Sequence, residues 1–266
     1  QEIYGINLST SAISIITNKV SQAASEWQNR PLESLYMIVW MDGIVFKVRE
    51  NGKVINKTVY LCVGLNKEGL KEVLGMWVGK NESAAFWMGV LTDLKARGVE
   101  DILITVTDNL NGFTETIKSV FPTSTTQICV VHQIRNSCRY VVWKEKKEFT
   151  SDLKNIYNAP TKEAAKMELE NFEQKWGTKY PYAIRSWRNN WEELTVFFDF
   201  PVEIRKIIYT TNLIEKLNGK IRKYTKNKLS FPNDDALKKS VYLAITEIEK
   251  KWYQPIWNWA LIFNQF

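Results

Sequence analysis

The amino-acid sequence predicts an α/β fold: a mixed β-sheet flanked by helices, with an all-helical insertion late in the chain. First, the run 35–49 is nearly continuous in apolar and β-branched residues, which is typical of a buried central strand. Second, the short apolar runs 101–108 and 126–131 alternate with amphipathic helical patterns, as parallel strands in a sheet interior do. Third, residues 137–200 show only helical periodicity, including a helix over 162–176.

The segment before the central strand is predicted to form one helix over 8–28. Apolar residues recur at helical spacing through this segment, and the Ser9-Thr10 pair can cap it. The preceding residues 4–9 resemble the turn of a helix-turn-helix motif, in which the second helix reads DNA. A plain amphipathic helix docked on the domain explains the same residues, so both interpretations stay open.

The elements that follow the central strand occur in a specific order. The Asn51-Gly52 pair predicts a hairpin turn, so the first three strands should form an antiparallel meander. Ser83 can begin the next helix and Gly98 can end it. The predicted elements are strands 57–64 and 71–78, helix 83–97, strand 101–108, helix 113–121 and strand 126–131. This is the ribonuclease-H-like pattern, a mixed sheet with helices on both faces.

The last part of the chain is predicted to be helical and basic. One helix begins at Thr211 or Asn212, and a final helix covers 234–252. The stripe expected to pack inward consists of Leu213, Leu217, Ile221 and Tyr224. The opposite side consists of Glu215, Asn218, Arg222 and Lys226. Residues 203–239 hold ten Lys or Arg against four Asp or Glu, most of the net charge of +7. A lone acid in a basic stripe suggests that metal and phosphate bind to one face; a solvated helix surface is the ordinary alternative.

Charge and composition restrict the classes of function. The net charge of +7 and the sequence pI of about 9.1 favour a polyanionic partner, most simply a nucleic acid. No apolar run is long enough to span a membrane and no signal peptide is visible, so the three cysteines should be reduced in a cytosol. Because the chain begins at Gln1 rather than Met, it is expected to be a piece of a longer protein.

Three acidic residues are candidates for a metal site: Asp42 in the central strand, Asp108 at the end of the fourth strand, and Glu215 on a helix. An unpaired carboxylate in a sheet interior is costly, so Asp42 needs a cation, a partner or a metal. The alternative for Asp42 is a cap of a turn at Gly43. Because the first and fourth strands of such a sheet are neighbours, Asp42 and Asp108 should meet. Oxygen ligands of this kind suit Mg²⁺ or Mn²⁺, and phosphodiester cleavage uses two such ions.

Five stretches of the chain form a specific combination of motifs. They are 27–32, 36–49 around Asp42, 107–113 around Asp108, 127–136, and 209–215 ending on Glu215. The combination resembles the Mutator-type transposases of bacterial insertion sequences over essentially the whole chain. The resemblance implies that Asp42, Asp108 and Glu215 are an Asp-Asp-Glu triad of metal-binding catalytic acids. Two departures exist: Asn109 stands where many relatives have Gly, and relatives extend further at the N-terminus, where DNA-binding segments lie.

This resemblance implies a DNA transposase that cuts transposon ends with Mg²⁺ or Mn²⁺, as two ions, and joins them to target DNA. The implied partners are terminal inverted repeats, target DNA and further copies of the chain, in a dimer or a higher synaptic complex. The implied location is the bacterial cytoplasm, in association with the nucleoid. The residues expected to bind DNA are Arg135, Lys220, Arg222, Lys223, Lys226 and Lys228.

The same resemblance divides the chain into three regions. Residues 1–32 are the remnant of an N-terminal DNA-binding helical region, and 33–136 with 201–266 form the ribonuclease-H-like catalytic domain. Residues 137–200 form the helical insertion before the catalytic Glu. Its many aromatic residues are assigned to a core, with base stacking as the alternative.

His132, in the motif Cys129-x-x-His132, is a further catalytic candidate. A Cys and a His at this spacing can form half of a zinc site, but the chain has no second pair, and the single His also argues against nucleophilic Cys or Ser catalysis. The resemblance suggests that His132 contacts the scissile phosphate or orients the site; a strand-end His bonded to backbone is the alternative. Two other functions stay open, a non-catalytic or domesticated DNA-binding relic and another nuclease of this fold.

Overall fold

A five-stranded mixed sheet forms the centre of the molecule. The computed structural model describes residues 9–80, 83–110, 112–209 and 212–266. The strands are β1 (Leu35–Glu50), β2 (Lys53–Asn66), β3 (Lys71–Gly79), β4 (Asp101–Thr107) and β5 (Thr125–Ile128). Their order in the sheet is β3-β2-β1-β4-β5; β1, β2 and β3 are antiparallel, whereas β4 pairs in parallel with β1 and with β5. The fold is therefore the predicted ribonuclease-H-like α/β fold.

Helices connect and cover these strands. They are α1 (Thr10–Gln28), α2 (Ala84–Ala96), α3 (Phe113–Val120), α4 (Val130–Ser137), α5 (Trp143–Tyr157), α6 (Lys162–Trp176), α7 (Pro181–Asn189), α8 (Trp191–Leu194), α9 (Val202–Ile208), α10 (Asn212–Thr225), α11 (Asp234–Glu249) and α12 (Trp259–Phe263), with a 3-10 turn at Val196–Asp199. Ser9 and Ser83 cap α1 and α2, since their hydroxyls accept hydrogen bonds from Ala12 N and Phe86 N, both at 3.1 Å. The expected helix-turn-helix residues 4–8 lie outside the described residues.

Alternate residues of β1 serve two apolar layers, which explains why its sequence is so rich in apolar residues. Met41 belongs to the layer of α2 and α3, in which Trp87 stacks on Phe113 with ring centroids 4.7 Å apart. Trp40 belongs to the opposite layer, which includes α10, α11 and the helices of the 137–200 region. Asp42 has the same parity as Trp40, so its side chain lies on the α10 side of the sheet.

Aromatic residues fill much of the space between α5, α6 and α7. Phe149 of α5 contacts Trp176 and Tyr180, with ring centroids 5.4 and 5.5 Å apart. The assignment of these aromatic residues to a core therefore holds, but it is wrong for Trp143, which is 86% exposed. No disulfide joins the three cysteines, all of which lie in the described ranges. None of the helices in the described ranges is long and apolar enough to cross a membrane.

The fifth strand is shorter than the sequence predicts. It ends at Ile128, and α4 begins at Val130, although 126–131 was expected to be extended. A short apolar run such as 128–131 fits a buried strand and a buried helix equally well, so periodicity alone does not distinguish the two. His132 therefore lies in the first turn of a helix, and the alternative of a strand-end His is wrong.

Helix α10 also packs differently from the prediction. It buries Ile214, Leu217 and Ile221, whereas Tyr224 is 57% exposed and Leu213 is only partly buried. Apolar residues cover a wide arc of this helix, and contacts with β1 and α11 decide which part of the arc is buried. The helix predicted over 234–252 is α11, which ends at Glu249 rather than at Trp252. Beyond Glu249 the backbone forms a tighter turn, in which Trp252 N donates to Glu249 O at 2.8 Å.

Candidate active site

The parallel pairing of β1 with β4 brings two acidic residues together. Trp40 of β1 pairs with Val106 of β4. Asp42 and Asp108 each lie two residues beyond this pair, so they occupy neighbouring positions, Asp42 inside β1 and Asp108 directly after β4. One ligand atom each of Asp42, Asp108 and His132 lie within 4.8 Å of one another. Side chains from two strands and one helix thus converge on a single point.

Asp42 is held from two directions. Its Oδ1 accepts a hydrogen bond from the Gly43 backbone N–H at 2.8 Å, and its Oδ2 accepts one from Asn218 Nδ2 at 2.7 Å. Burial, together with the negative charge of Asp108, raises the pKa of Asp42 to about 6. The alternative that Asp42 caps a turn is wrong in one respect: the Gly43 contact exists, but β1 continues through it to Glu50, paired with β2.

Asp108 is partnered by His132. The imidazole Nδ1 of His132 contacts Asp108 Oδ1 in an ion pair. Burial lowers the pKa of His132, but hydrogen bonds with Asp108 and Cys129 outweigh it and raise that pKa to about 10. The start of α4 is fixed next to Asp108, because Cys129 N donates to Thr107 O at 2.8 Å. His132 is therefore a positively charged partner that orients the Asp108 carboxylate.

Glu215 lies beside the cluster rather than within it. Its Oε1 forms a salt bridge with Arg135 Nη2 at 2.7 Å, and Arg135 lies one turn after His132 on α4. The charge of Glu215 contributes to the raised pKa of Asp42, which indicates that the two carboxylates are close. Arg135 was expected to contact DNA, but in this structure its guanidinium is engaged by Glu215.

Asn218 is a site residue whose role the sequence did not reveal. It lies three residues after Glu215, which places both side chains on one side of α10. Its amide nitrogen anchors Asp42, while its Oδ1 is buried and has no hydrogen-bond partner within the described ranges. The spacing from Glu215 was visible in the sequence, but its contact with a strand 176 residues away was not.

The other residues expected to bind DNA follow α10 toward its end. Lys220, Arg222, Lys223 and Lys226 are exposed. Lys228 is also exposed, donates a hydrogen bond to Ser240 Oγ at 3.0 Å, and lies over the ring of Phe231 at 5.3 Å. These cations are therefore accessible to solvent along α10 and just beyond its end.

A ribonuclease-H-like sheet with one carboxylate inside its first strand and another directly after its fourth strand defines a class of α/β proteins with an acidic centre. Comparison with known proteins identifies the family within that class. The family model described as "Transposase, Mutator family" matches residues 1–255, and the chain belongs to this family.

Curated relatives agree with this assignment. The transposase for insertion sequence element ISRM3 of Rhizobium meliloti is 44% identical over 100% of this chain and 67% of its own length. The transposase for insertion sequence element IS905 of Lactococcus lactis is 32% identical over 96% of this chain and 65% of its own length. Among solved structures, the Drosophila P element transposase strand transfer complex aligns with a TM-score of 0.45 at 8% identity, covering 91% of this chain and 85% of that one.

Proposed function

We propose that this chain is the catalytic part of a DNA transposase in which Asp42, Asp108 and Glu215 hold divalent metal ions. The observation that carries the proposal is the convergence of Asp42, Asp108 and His132 within 4.8 Å. Glu215 lies next to this cluster on a helix that also contacts Asp42 through Asn218. Membership of the Mutator family supports the reaction class, cleavage of transposon ends and strand transfer.

The donor atoms suit a hard divalent cation. One carboxylate oxygen of Asp42 and one of Asp108 lie within 4.8 Å of each other, and the Asn218 amide that contacts Asp42 has an Oδ1 without a hydrogen-bond partner in the described residues. Burial first, and then the negative charge of Asp108, raise the pKa of Asp42, and a bound cation would offset both effects. Oxygen-rich ligand sets favour Mg²⁺ or Mn²⁺. When bound, a pair of such ions would activate the attacking oxygen and stabilise the leaving oxygen of a phosphodiester.

The chain's own residues would position the reactants. Asn218 and the Gly43 amide hold the two oxygens of Asp42, and His132 holds Asp108. Arg135 holds Glu215 at the edge of the cluster. The exposed cations of α10 would bind DNA phosphates, giving salt-dependent affinity for both transposon ends and target DNA. Because two ends must be cut together, the active form would be a dimer or a higher synaptic complex.

The test is a cleavage and strand-transfer assay. The purified chain is incubated with duplex DNA that carries the inverted repeats flanking its own gene, a supercoiled target plasmid, and Mg²⁺ or Mn²⁺. We expect nicks that leave 3′-hydroxyls at the repeat ends, joined products in the plasmid, and neither product with EDTA.

Two other outcomes would point to different functions. DNA binding without nicking under all metal conditions would indicate a non-catalytic relic. Nicking without joined products would indicate a nuclease of the same fold. Asp42→Asn provides the control for contaminating nucleases, since it should bind DNA but leave both products at background.

A further inference from the structure

A groove lies on the side of α10 that faces away from the acidic cluster. Its volume is about 530 Å³, within the range of roughly 300–1,000 Å³ that small-ligand pockets occupy. The residues that define this tryptophan groove are Trp40, Trp252, Trp257, Lys71, Lys216 and Lys220. With Lys206, which also lines it, the groove combines three indoles with four ammonium groups.

The protein leaves two tryptophans of the groove without full contacts: one ring is largely exposed, and one indole N–H has no acceptor in the described residues. Trp257 is 86% exposed, which is unusual for the largest apolar side chain. Trp40 at the inner end is 1% exposed, yet its indole Nε1 has no hydrogen-bond partner in the described part of the chain. A buried donor without an acceptor is rare and costly. An acceptor on a bound ligand would satisfy it.

The cations of the groove are also without counter-charges. Within the described ranges, no carboxylate forms a salt bridge with Lys71, Lys216 or Lys220, and Glu203 is the one acid among the lining residues. Burial and the positive charges of Lys220 and Lys216 lower the pKa of Lys71, whose ammonium lies 5.4 Å from the ring of Trp252. A concave surface with this potential attracts an anion.

The groove continues along α10. A second, smaller concavity is lined by Lys220, Lys223, Tyr224 and Lys251, with Glu247 as its one acid, so Lys220 belongs to both. The lysines outnumber the carboxylates in both concavities, which favours a ligand that carries several negative charges along its length. A strand of nucleic acid combines such a series of charges with flat bases that stack on indoles.

We propose that the tryptophan groove binds one unpaired nucleotide of the DNA on which the enzyme acts. Its base would stack on Trp252 and Trp257, a base or sugar acceptor would receive the Nε1–H of Trp40, and the lysines would contact the flanking phosphates. The DNA identity of the ligand rests on the proposed function.

The test compares two labelled duplexes of one sequence, fully paired or with a single unpaired thymidine, by fluorescence anisotropy in EDTA. Wild type should prefer the duplex with the unpaired thymidine. Trp257→Ala should lose roughly tenfold affinity for that duplex and less than about twofold for the paired one, because stacking contributes only to an unpaired base. Trp143→Ala is the matched control, since Trp143 is equally exposed at 86% on a different surface; it should leave the preference unchanged.

Further variants separate stacking from charge. Lys216→Ala should weaken both duplexes and reduce the log–log salt slope by about 0.9, whereas Trp257→Ala should leave the slope unchanged. Equal losses for both duplexes with Trp257→Ala, or no loss, would overturn the proposal. Trp40→Phe removes the indole donor with little change of shape and should also reduce the preference for the unpaired thymidine. Because binding is measured without metal, a chain that shows the preference but never cuts would retain the groove and refute the proposed catalysis.

Discussion

The two sides of helix α10 differ in how their positive charges are partnered. At the acidic cluster itself, two cations each have a carboxylate partner: His132 contacts Asp108, and Arg135 pairs with Glu215 at 2.7 Å. On the side of the tryptophan groove, Lys216 and Lys220 have no carboxylate partner within the described ranges. The periodicity of 3.6 residues per turn lets one helix serve both surfaces.

This difference indicates two uses of charge. Paired cations fix carboxylate positions and add little net field outside the site. Unpaired lysines keep their potential for a ligand that arrives from solution, at the cost of mutual repulsion. The paired side is therefore expected to respond to substitution through geometry, and the unpaired side through the strength and salt dependence of binding.

The largest effect is expected from removing one carboxylate of the paired side. Asp108→Asn should reduce nicking more than about a hundredfold, because loss of a metal ligand should exceed the 10- to 100-fold effects typical of outer-shell residues. DNA binding in EDTA should stay near the wild-type level. Asp199→Asn, which changes an exposed acid, is the control.

The stability of Asp108→Asn would sharpen the comparison further. From the sequence, relief of like-charge repulsion predicts that stability holds or rises. The structure adds an opposing effect, because His132 would lose its partner. A variant that is poorly folded, yet still cuts when refolded, would show that Asp108 is structural.

A tenfold to hundredfold effect is expected at Asn218. Asn218→Ala removes the hydrogen bond to Asp42 Oδ2 without removing an acidic residue, so it should reduce activity by about 10–100-fold. The Mg²⁺ concentration that gives half-maximal nicking should rise as well. Asn227→Ala, which changes an exposed amide, should have no effect. An unchanged Mg²⁺ dependence in Asn218→Ala would mean that Asn218 does not position Asp42 for a metal.

Salt titration of DNA binding directly compares paired with unpaired cations. Arg222→Ala combined with Lys226→Ala should lower the log–log slope by about 1.8, since each lost phosphate contact removes about 0.9. Arg135→Ala should change the slope little, because Glu215 already engages its guanidinium. Parallel slopes for wild type and the double variant would instead mean that α10 is an ordinary solvated surface.

The smallest expected effect concerns stability on the unpaired side. Lys216→Ala should raise the Tm by about 1 °C at low salt, because it relieves repulsion with Lys220 one turn away and with Lys71. Lys118→Ala, at an exposed position of α3, is the charge-matched control. The gain should vanish at 1 M salt, where the Debye length is about 3 Å. A gain that persists there would not be electrostatic.

The same variant has a defined pH dependence. The pKa of Lys71 is lowered by burial and by the charges of Lys220 and Lys216. A lysine whose pKa is lower in the folded state costs stability while it is charged; this cost is full below the folded-state pKa and declines as the pH rises from there to the ordinary lysine pKa of the unfolded chain. The difference in Tm between Lys216→Ala and wild type should therefore shrink at alkaline pH.

Much of the fold was predictable because its patterns are local. The apolar run of β1 and the alternation of short strands with helices predicted the sheet. The expected adjacency of the first and fourth strands then predicted that Asp42 and Asp108 would meet. The beginning of α4 was not predictable, because the apolar residues at 128–131 fit either structure. The buried arc of α10 was also ambiguous, since packing partners rather than periodicity select it.

The contacts that make the site specific were beyond the sequence. Asn218 anchors a residue 176 positions away, and Trp40 meets Trp252 and Trp257 in one groove. Such pairs depend on where whole helices dock, which no local spacing encodes. The position of Glu215 in a basic helix and the resemblance to a family both indicated it as a candidate, but its pairing with Arg135 appeared only in three dimensions.

After α10 the chain returns to β1, and this contact affects the order in which the parts of the molecule fold. Phe231 N donates to Lys47 O, and Phe231 O accepts from Arg49 N, both at 2.8 Å, while Lys57 binds Asp234 at 2.7 Å. The docking surface for this segment thus exists only after β1 and β2 have paired. The α10–α11 unit should therefore fold after the hairpin and open with it. In a hydrogen-exchange experiment, the Phe231 amide should lose its protection no later than the amides of the β1–β2 ladder.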